Sequence, residues 1–162
     1  MRVTRPTAIL AALGLTLALG AATPALAMGT SDPAPKAKAA NPDFDAGKAA
    51  IAKADWAGAI ASLKKATAAE PNNPEAHNLL GYATRKSGDA QGSLAHYRQA
   101  LALDPKHIGA HEYIGEAYLM LNDLPKAQEH LDKLGDLCTF GCKEERALKA
   151  AIEAYKKKPK QS

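Results

Sequence analysis

The sequence predicts an all-α fold: a right-handed α-solenoid of three helix-turn-helix pairs closed by a C-terminal capping helix. Three observations predict it. Gly47, Gly81 and Gly115 lie 34 residues apart. Asp55, Asp89 and Asp123 keep the same step, as do Leu63, Tyr97 and Leu131, and Pro71 and Pro105 keep it once. Between these markers the apolar residues recur at helical spacings. A helical period of this length is one supersecondary unit, which buries its apolar face only by stacking on its neighbours.

The first 27 residues read as a Sec-type signal peptide. Arg2 and Arg5 make a basic start, Ala8 to Ala22 is an apolar run, and Ala25-Leu26-Ala27 is a cleavage site with the cut after Ala27. The run is shorter than the ~20 residues of a bilayer span. Met28 rather than Cys follows the cut, which argues against a lipid anchor. Arg2 and Arg5 are not adjacent, so the twin-arginine route is not supported. The expected mature chain, 28–162, is a periplasmic protein without stable membrane insertion. Its first stretch, 28–40, mixes Pro, Lys, Ser and Asp among alanines without an amphipathic period and reads as a flexible leader. The chain carries a net charge of +4, and loss of the two signal-peptide arginines leaves +2. That bias is too small to point to nucleic acid.

The first helix is expected over 41–53, opened by Asn41-Pro42, and Asp55 caps a second over 56–69. Pro71-Asn72-Asn73-Pro74 ends that pair. A helix over 74–87 follows, stopped by Gly88; Asp89 then caps its mate over 90–103, and Asp104-Pro105 turns the chain. The third pair runs over 107–121 and 124–137, with Asn122 as a left-handed stop and Asp123 as a cap. Core stripes are Ala59, Ile60, Leu63 and Ala66, then Leu94, Tyr97, Ala100 and Leu101, then Ala127, Leu131 and Leu134. Three pairs leave an apolar end. A seventh helix over about 143–157 covers it, with Ala147, Leu148, Ala151, Ile152 and Tyr155 on one face and charges on the other. The lysines that end it suit a helix C-terminus. Residues 159–162 form a tail.

At these positions the chain resembles the tetratricopeptide repeat (TPR) family. The second unit carries Leu80-Gly81, Ser93, Tyr97, Ala100 and Pro105. The first has Ala46-Gly47, Ala59, Leu63, Ala66 and Pro71; the third has Ile114-Gly115, Tyr118, Ala127 and Leu131, with Leu134 and Thr139 off the pattern. The resemblance implies a TPR domain over 41–158, with repeats of about 40–73, 74–107 and 108–141. Its glycines mark the crossing of the two helices of each pair. It also implies a protein or peptide partner on the concave face lined by the first helix of each pair. The residues placed there are Phe44, Lys48 and Ile51, then Asn78, Tyr82, Arg85 and Lys86, then Glu112, Glu116 and Leu119. Chaperone-binding members clamp a carboxylate with Lys, Asn and Arg; the matching positions here are Phe44, Lys48, Leu79, Glu112 and Glu116. Two are acidic and one is basic, so an extended or helical segment spanning Arg85–Lys86 and Glu112–Glu116 fits better.

No catalytic motif stands out: there is no G-x-S-x-G, phosphate loop or H-E-x-x-H, and no cofactor is implied. The reading is a non-enzymatic adaptor. His77 and His111, and His96 and His130, are each 34 apart, which makes them scaffold positions rather than a gathered metal site. His107 and His111 are i, i+4, but His107 falls in a turn. Trp56 is expected to pack between helices. Cys138 and Cys142, in a C-x3-C run between the third pair and the cap, read as a disulfide in an oxidising compartment. A redox-active pair and a soft-metal thiolate site, such as one for copper, stay open. They define the alternative function, a thiol-redox or copper-handling accessory factor.

Overall fold

A computed structural model of the protein describes residues 41–158. The segments read as a signal peptide (1–27), a leader (28–40) and a tail (159–162) lie outside the described residues. Seven helices follow in order: α1 Pro42–Ala52, α2 Trp56–Ala69, α3 Pro74–Lys86, α4 Ala90–Leu103, α5 Ile108–Met120, α6 Leu124–Leu137 and α7 Lys143–Lys156.

One aspartate organises each corner within a pair. The backbone N–H of Asp55 donates to Ala50, that of Asp89 to Thr84 and that of Asp123 to Tyr118, at 2.9, 3.2 and 2.8 Å. The residue before each Asp donates three positions back: Ala54 to Ile51, Gly88 to Arg85 and Asn122 to Leu119. This pair of bonds is the Schellman closure, and it needs a left-handed residue before the aspartate. Ala54, Gly88 and Asn122 take it, at φ of 54°, 104° and 60°. The same aspartate then opens the next helix through Oδ1, which accepts from the N–H of Gly58, Gly92 and Lys126. Each Asp thus ends one helix with its backbone and starts the next with its side chain.

Between pairs the caps differ. Asn41 caps α1 and Asn73 caps α3 through their side chains. His107 caps α5, its Nδ1 accepting from the Ala110 N–H at 3.2 Å. This is why α5 starts at Ile108 rather than at His107. His107 also faces Glu75 across the turn at 2.9 Å, and that hydrogen bond raises its pKa.

The helices stack as successive pairs, α1 with α2, α3 with α4 and α5 with α6, and α7 closes the end against α5 and α6. The result is an α-solenoid of three units and a cap. One apolar cluster joins Ala59, Leu63, Leu80 and Ala83; a second runs from Leu94 and Tyr97 through Ile114, Ala117 and Leu134 to Leu148 and Ile152.

The glycines show where the third unit departs from expectation. A Cβ on Gly47 would meet the Leu63 side chain at 2.5 Å, and one on Gly81 the Tyr97 ring at 2.7 Å. Both contacts are with the second helix of the same pair. A Cβ on Gly115 would instead meet Leu148 of α7 at 2.6 Å. Leu131, the residue in register, is only partly buried.

Candidate functional site

The first helices of the three pairs, α1, α3 and α5, present a continuous strip. Tyr82 on α3 and Tyr113 on α5 lie with ring centroids 4.9 Å apart. Trp56, in the first turn of α2, meets Tyr82 edge-on at 6.0 Å. The Lys86 ammonium sits 5.8 Å from the Trp56 ring, and Lys48 sits 5.4 Å from Phe44 on the first unit. Both are cation–π contacts at positions open to solvent.

Arg85 holds the centre of the strip from below. Its guanidinium lies 5.6 Å from both Tyr82 and Tyr113, pairs with Glu116 at 2.6 Å, and its Nε donates to the Tyr97 hydroxyl at 3.3 Å. The residue is only 8% exposed. With its Nε bonded to Tyr97 and its Nη2 paired with Glu116, this buried cation sits against both tyrosines and holds them in place. Burial drives the Tyr97 pKa upward against the opposing pull of the Arg85 cation, with Glu116 adding to the rise, and keeps that hydroxyl neutral.

The far end of the strip is acidic. Glu112 is pushed up to about 7, first by burial and then by the neighbouring carboxylates Glu116 and Glu144. Burial, with Glu112 next, raises Tyr113 to about 12. Beyond Glu116, Leu119 and Met120 of α5 face Ala151, Ala154 and Tyr155 of α7 across a cavity of about 330 Å³, with Arg85 and Lys158 at its edges. Met120 is 50% exposed.

The structure therefore brings together Tyr82, Lys86, Glu112 and Glu116 and leaves Phe44 and Lys48 on the first unit. Leu119 belongs to the buried core cluster. Asn78 is 3% exposed, with its Nδ2 donating to Glu75. Asn78, Leu119 and Arg85 are thus buried parts of the face, the latter two bordering the cavity at its far end. Sequence reasoning missed Tyr113, which follows Leu79 by one period and so has no repeated identity to mark it. Trp56, expected to pack between helices, meets Tyr82 of α3 from α2 and so extends the aromatic strip.

On another surface the histidines gather across the pairs rather than along them. His77 Nε2 meets the Pro71 carbonyl at 2.9 Å, and His111 Nε2 meets the Pro105 carbonyl at 3.0 Å. A carbonyl only accepts, so each Nε2 carries the proton and each Nδ1 is left as an acceptor. His130 Nδ1 donates to that of His111 at 2.9 Å. Burial first, then His111, lowers the His130 pKa to about 4; His96 is lowered in the same way, by burial and His77. His130 and His96 thus favour the neutral state.

Cys138 and Cys142 are joined in a disulfide with Cα atoms 5.6 Å apart. Cys138 follows the last residue of α6 and Cys142 is the N-cap of α7. Gly141 turns the loop at φ 75°, and Phe140 at its tip is 99% exposed. Among the described residues, no helix is long and apolar enough to cross a membrane.

Stacked helix pairs with an aromatic strip along their first helices define a helical-repeat binding module. Two tetratricopeptide-repeat profiles match the chain, over residues 44–108 and 85–137, and together span more than half of it. The chain belongs to the tetratricopeptide-repeat family, whose domains are interaction modules rather than catalysts. Among similar solved structures, the Sgt2 TPR domain from Aspergillus fumigatus is 25% identical with a TM-score of 0.65, covering 71% of this chain and 75% of that one. The first TPR domain of Spaghetti, bound to the HSP90 peptide SRMEEVD, is 19% identical with a TM-score of 0.63, covering 69% and 89%. MamA from Desulfovibrio magneticus is 25% identical with a TM-score of 0.57, covering 59% of this chain and 54% of that one. No curated protein matches.

Proposed function

We propose that the chain is a periplasmic adaptor that binds an extended or helical segment of a protein partner along its concave first-helix face. The observation that carries this reading is the polarity of the strip: Lys48 and Lys86 at one end, Trp56, Tyr82 and Tyr113 in the middle, and Glu112 and Glu116 at the other. A partner segment suited to it has an acidic group, an apolar or aromatic anchor, and a basic group in that order. Exposed aromatics with few rotors are the residue type that dominates binding energy at such faces. The Spaghetti domain, similar in fold, was solved with a peptide bound. Export is supported by the signal-peptide pattern of residues 1–27 alone.

The test is photo-crosslinking in cells, with the reactive side chain at Tyr82 and, as a control, at Gln99 on α4. A partner joined from position 82 and not from 99, and lost on the Tyr82→Ala, Lys86→Glu double change, is the expected result. Arg85 is unsuited to such a test, because its substitution breaks a buried ion pair and reads out folding.

A further inference from the structure

We infer that the Cys138–Cys142 bridge can be opened, and that its reduced form is a zinc site with Cys138 Sγ, Cys142 Sγ and a Glu145 carboxylate oxygen as ligands and a fourth position open. This lies outside the adaptor reading and uses none of the first-helix face. The ligand atoms of the three residues all lie within 4.8 Å of one another, and each residue is half-buried. Donors around a tetrahedral zinc sit roughly 3.3–3.8 Å apart. The carboxylate is thus already near its place, and only the two sulfurs must separate. The C-x3-C spacing falls in the range that zinc-binding cysteines use.

The helix start explains why a carboxylate is there. Cys142 is the N-cap of α7, so Glu145 is its third helical residue. In a capping box this residue folds back toward the N-cap. Cys142 makes no side-chain capping bond of its own. That position on the first turn sets the Glu145 carboxylate within 4.8 Å of both sulfurs. The Gly141 turn lies beside both side chains: a Cβ there would stand in ordinary contact with Glu145 Oε2 at 3.7 Å and Arg146 Nη1 at 3.8 Å. The Arg146 guanidinium balances part of the charge of two thiolates and a carboxylate around a divalent ion.

The same helix makes the bridge exchangeable. Cys142 Sγ stands at the positive end of a 14-residue helix, which stabilises the charge that builds on that sulfur as the disulfide opens. A dithiol reductant supplies two electrons and two protons. The S–S bond breaks, two thiols form, and the reductant leaves as its own disulfide. Zinc then displaces both thiol protons as the two Zn–S bonds form. The loop keeps its shape meanwhile, since the Gly141 N–H donates to the Cys138 carbonyl at 2.8 Å independently of the sulfurs. A carboxylate as third donor favours zinc over Cu(I), which prefers an all-sulfur set.

The experiment uses the mature chain, reduced with a dithiol, desalted without oxygen and titrated with Zn²⁺ alone; Co²⁺ serves as the spectroscopic probe. The expected result is one ion per chain, release of two protons, thiolate-to-cobalt charge-transfer bands, and no binding by the oxidised protein. Glu145→Gln should weaken zinc at least about tenfold, and Cys142→Ser should abolish binding, with helical content unchanged in both. A reduced protein that takes no zinc, a Cys142→Ser variant that still binds, an undiminished Glu145→Gln variant, or Cu(I) bound where zinc is refused would each overturn the assignment.

Discussion

Leu148 of α7 lies against Gly115 of α5, in the place that Leu63 takes on Gly47 and Tyr97 takes on Gly81. In the third pair the capping helix, not the pair's own second helix, fills the glycine notch. The cap is therefore part of the last unit's core. Leu148 is fully buried, so Leu148→Ala should cost about 2–5 kcal/mol in urea unfolding. Leu131→Ala, at a partly buried site, should cost less. Equal costs would mean that the notch is not where the cap is held.

The histidines make stability depend on pH. His130 is lowered from 6.5 to about 4 in the folded protein. The unfolded chain then binds more protons across that window, so stability is fully present above about 6.5 and falls as pH drops toward 4. His96 acts in the same sense. His107, raised by Glu75, acts in the opposite sense and loses its contribution as pH rises through its folded pKa. Relative to His130→Gln, wild type should gain stability as pH rises from about 4 to about 6.5 and keep a constant offset above that; curves parallel across this window would contradict the burial of a neutral His130.

Glu112 makes partner binding depend on pH as well. Its pKa of about 7 reflects burial and two neighbouring carboxylates. A partner's cation placed beside it lowers that pKa and expels a proton. Affinity for a segment with a basic end should therefore rise as pH passes upward through 7, and Glu112→Gln should flatten the profile. Calorimetry in buffers of different ionisation enthalpy measures the proton release directly.

Ala54 holds a left-handed φ of 54° at the corner where the other two units use Gly88 and Asn122. A Cβ costs roughly 1–2 kcal/mol in that region, and a glycine loses part of the gain through its freer unfolded chain. Ala54→Gly should stabilise the protein by about 0.5 kcal/mol, as a shift in denaturation midpoint without a change in slope.

The 34-residue period made most of the fold legible. Five of the seven helix starts, those of α2, α3, α4 and α6 at Trp56, Pro74, Ala90 and Leu124 and that of α1 just after Asn41, follow from caps and prolines visible in the chain. His107 broke the pattern because imidazole capping has no common signature. The site was half legible. Tyr82, Lys86, Glu112 and Glu116 stand at first-helix positions that the period identifies. Asn78, Arg85 and Leu119 stand at such positions too, but the period does not say how deep each side chain sits. Tyr113 and Trp56 join the strip through contacts between helices, and His111 meets His130 across 19 residues of sequence, where periodicity is silent.

The central claim is that partners bind the first-helix face. The most direct measurement takes peptides selected from a random-sequence library for binding to the mature chain and maps each by NMR chemical-shift changes. The account predicts changes centred on Tyr82, Lys86, Tyr113 and Glu112, in a peptide whose basic end lies toward Glu112. Changes centred on the second helices α2, α4 and α6, around His96 and His130, with Tyr82 and Tyr113 unmoved, would contradict it.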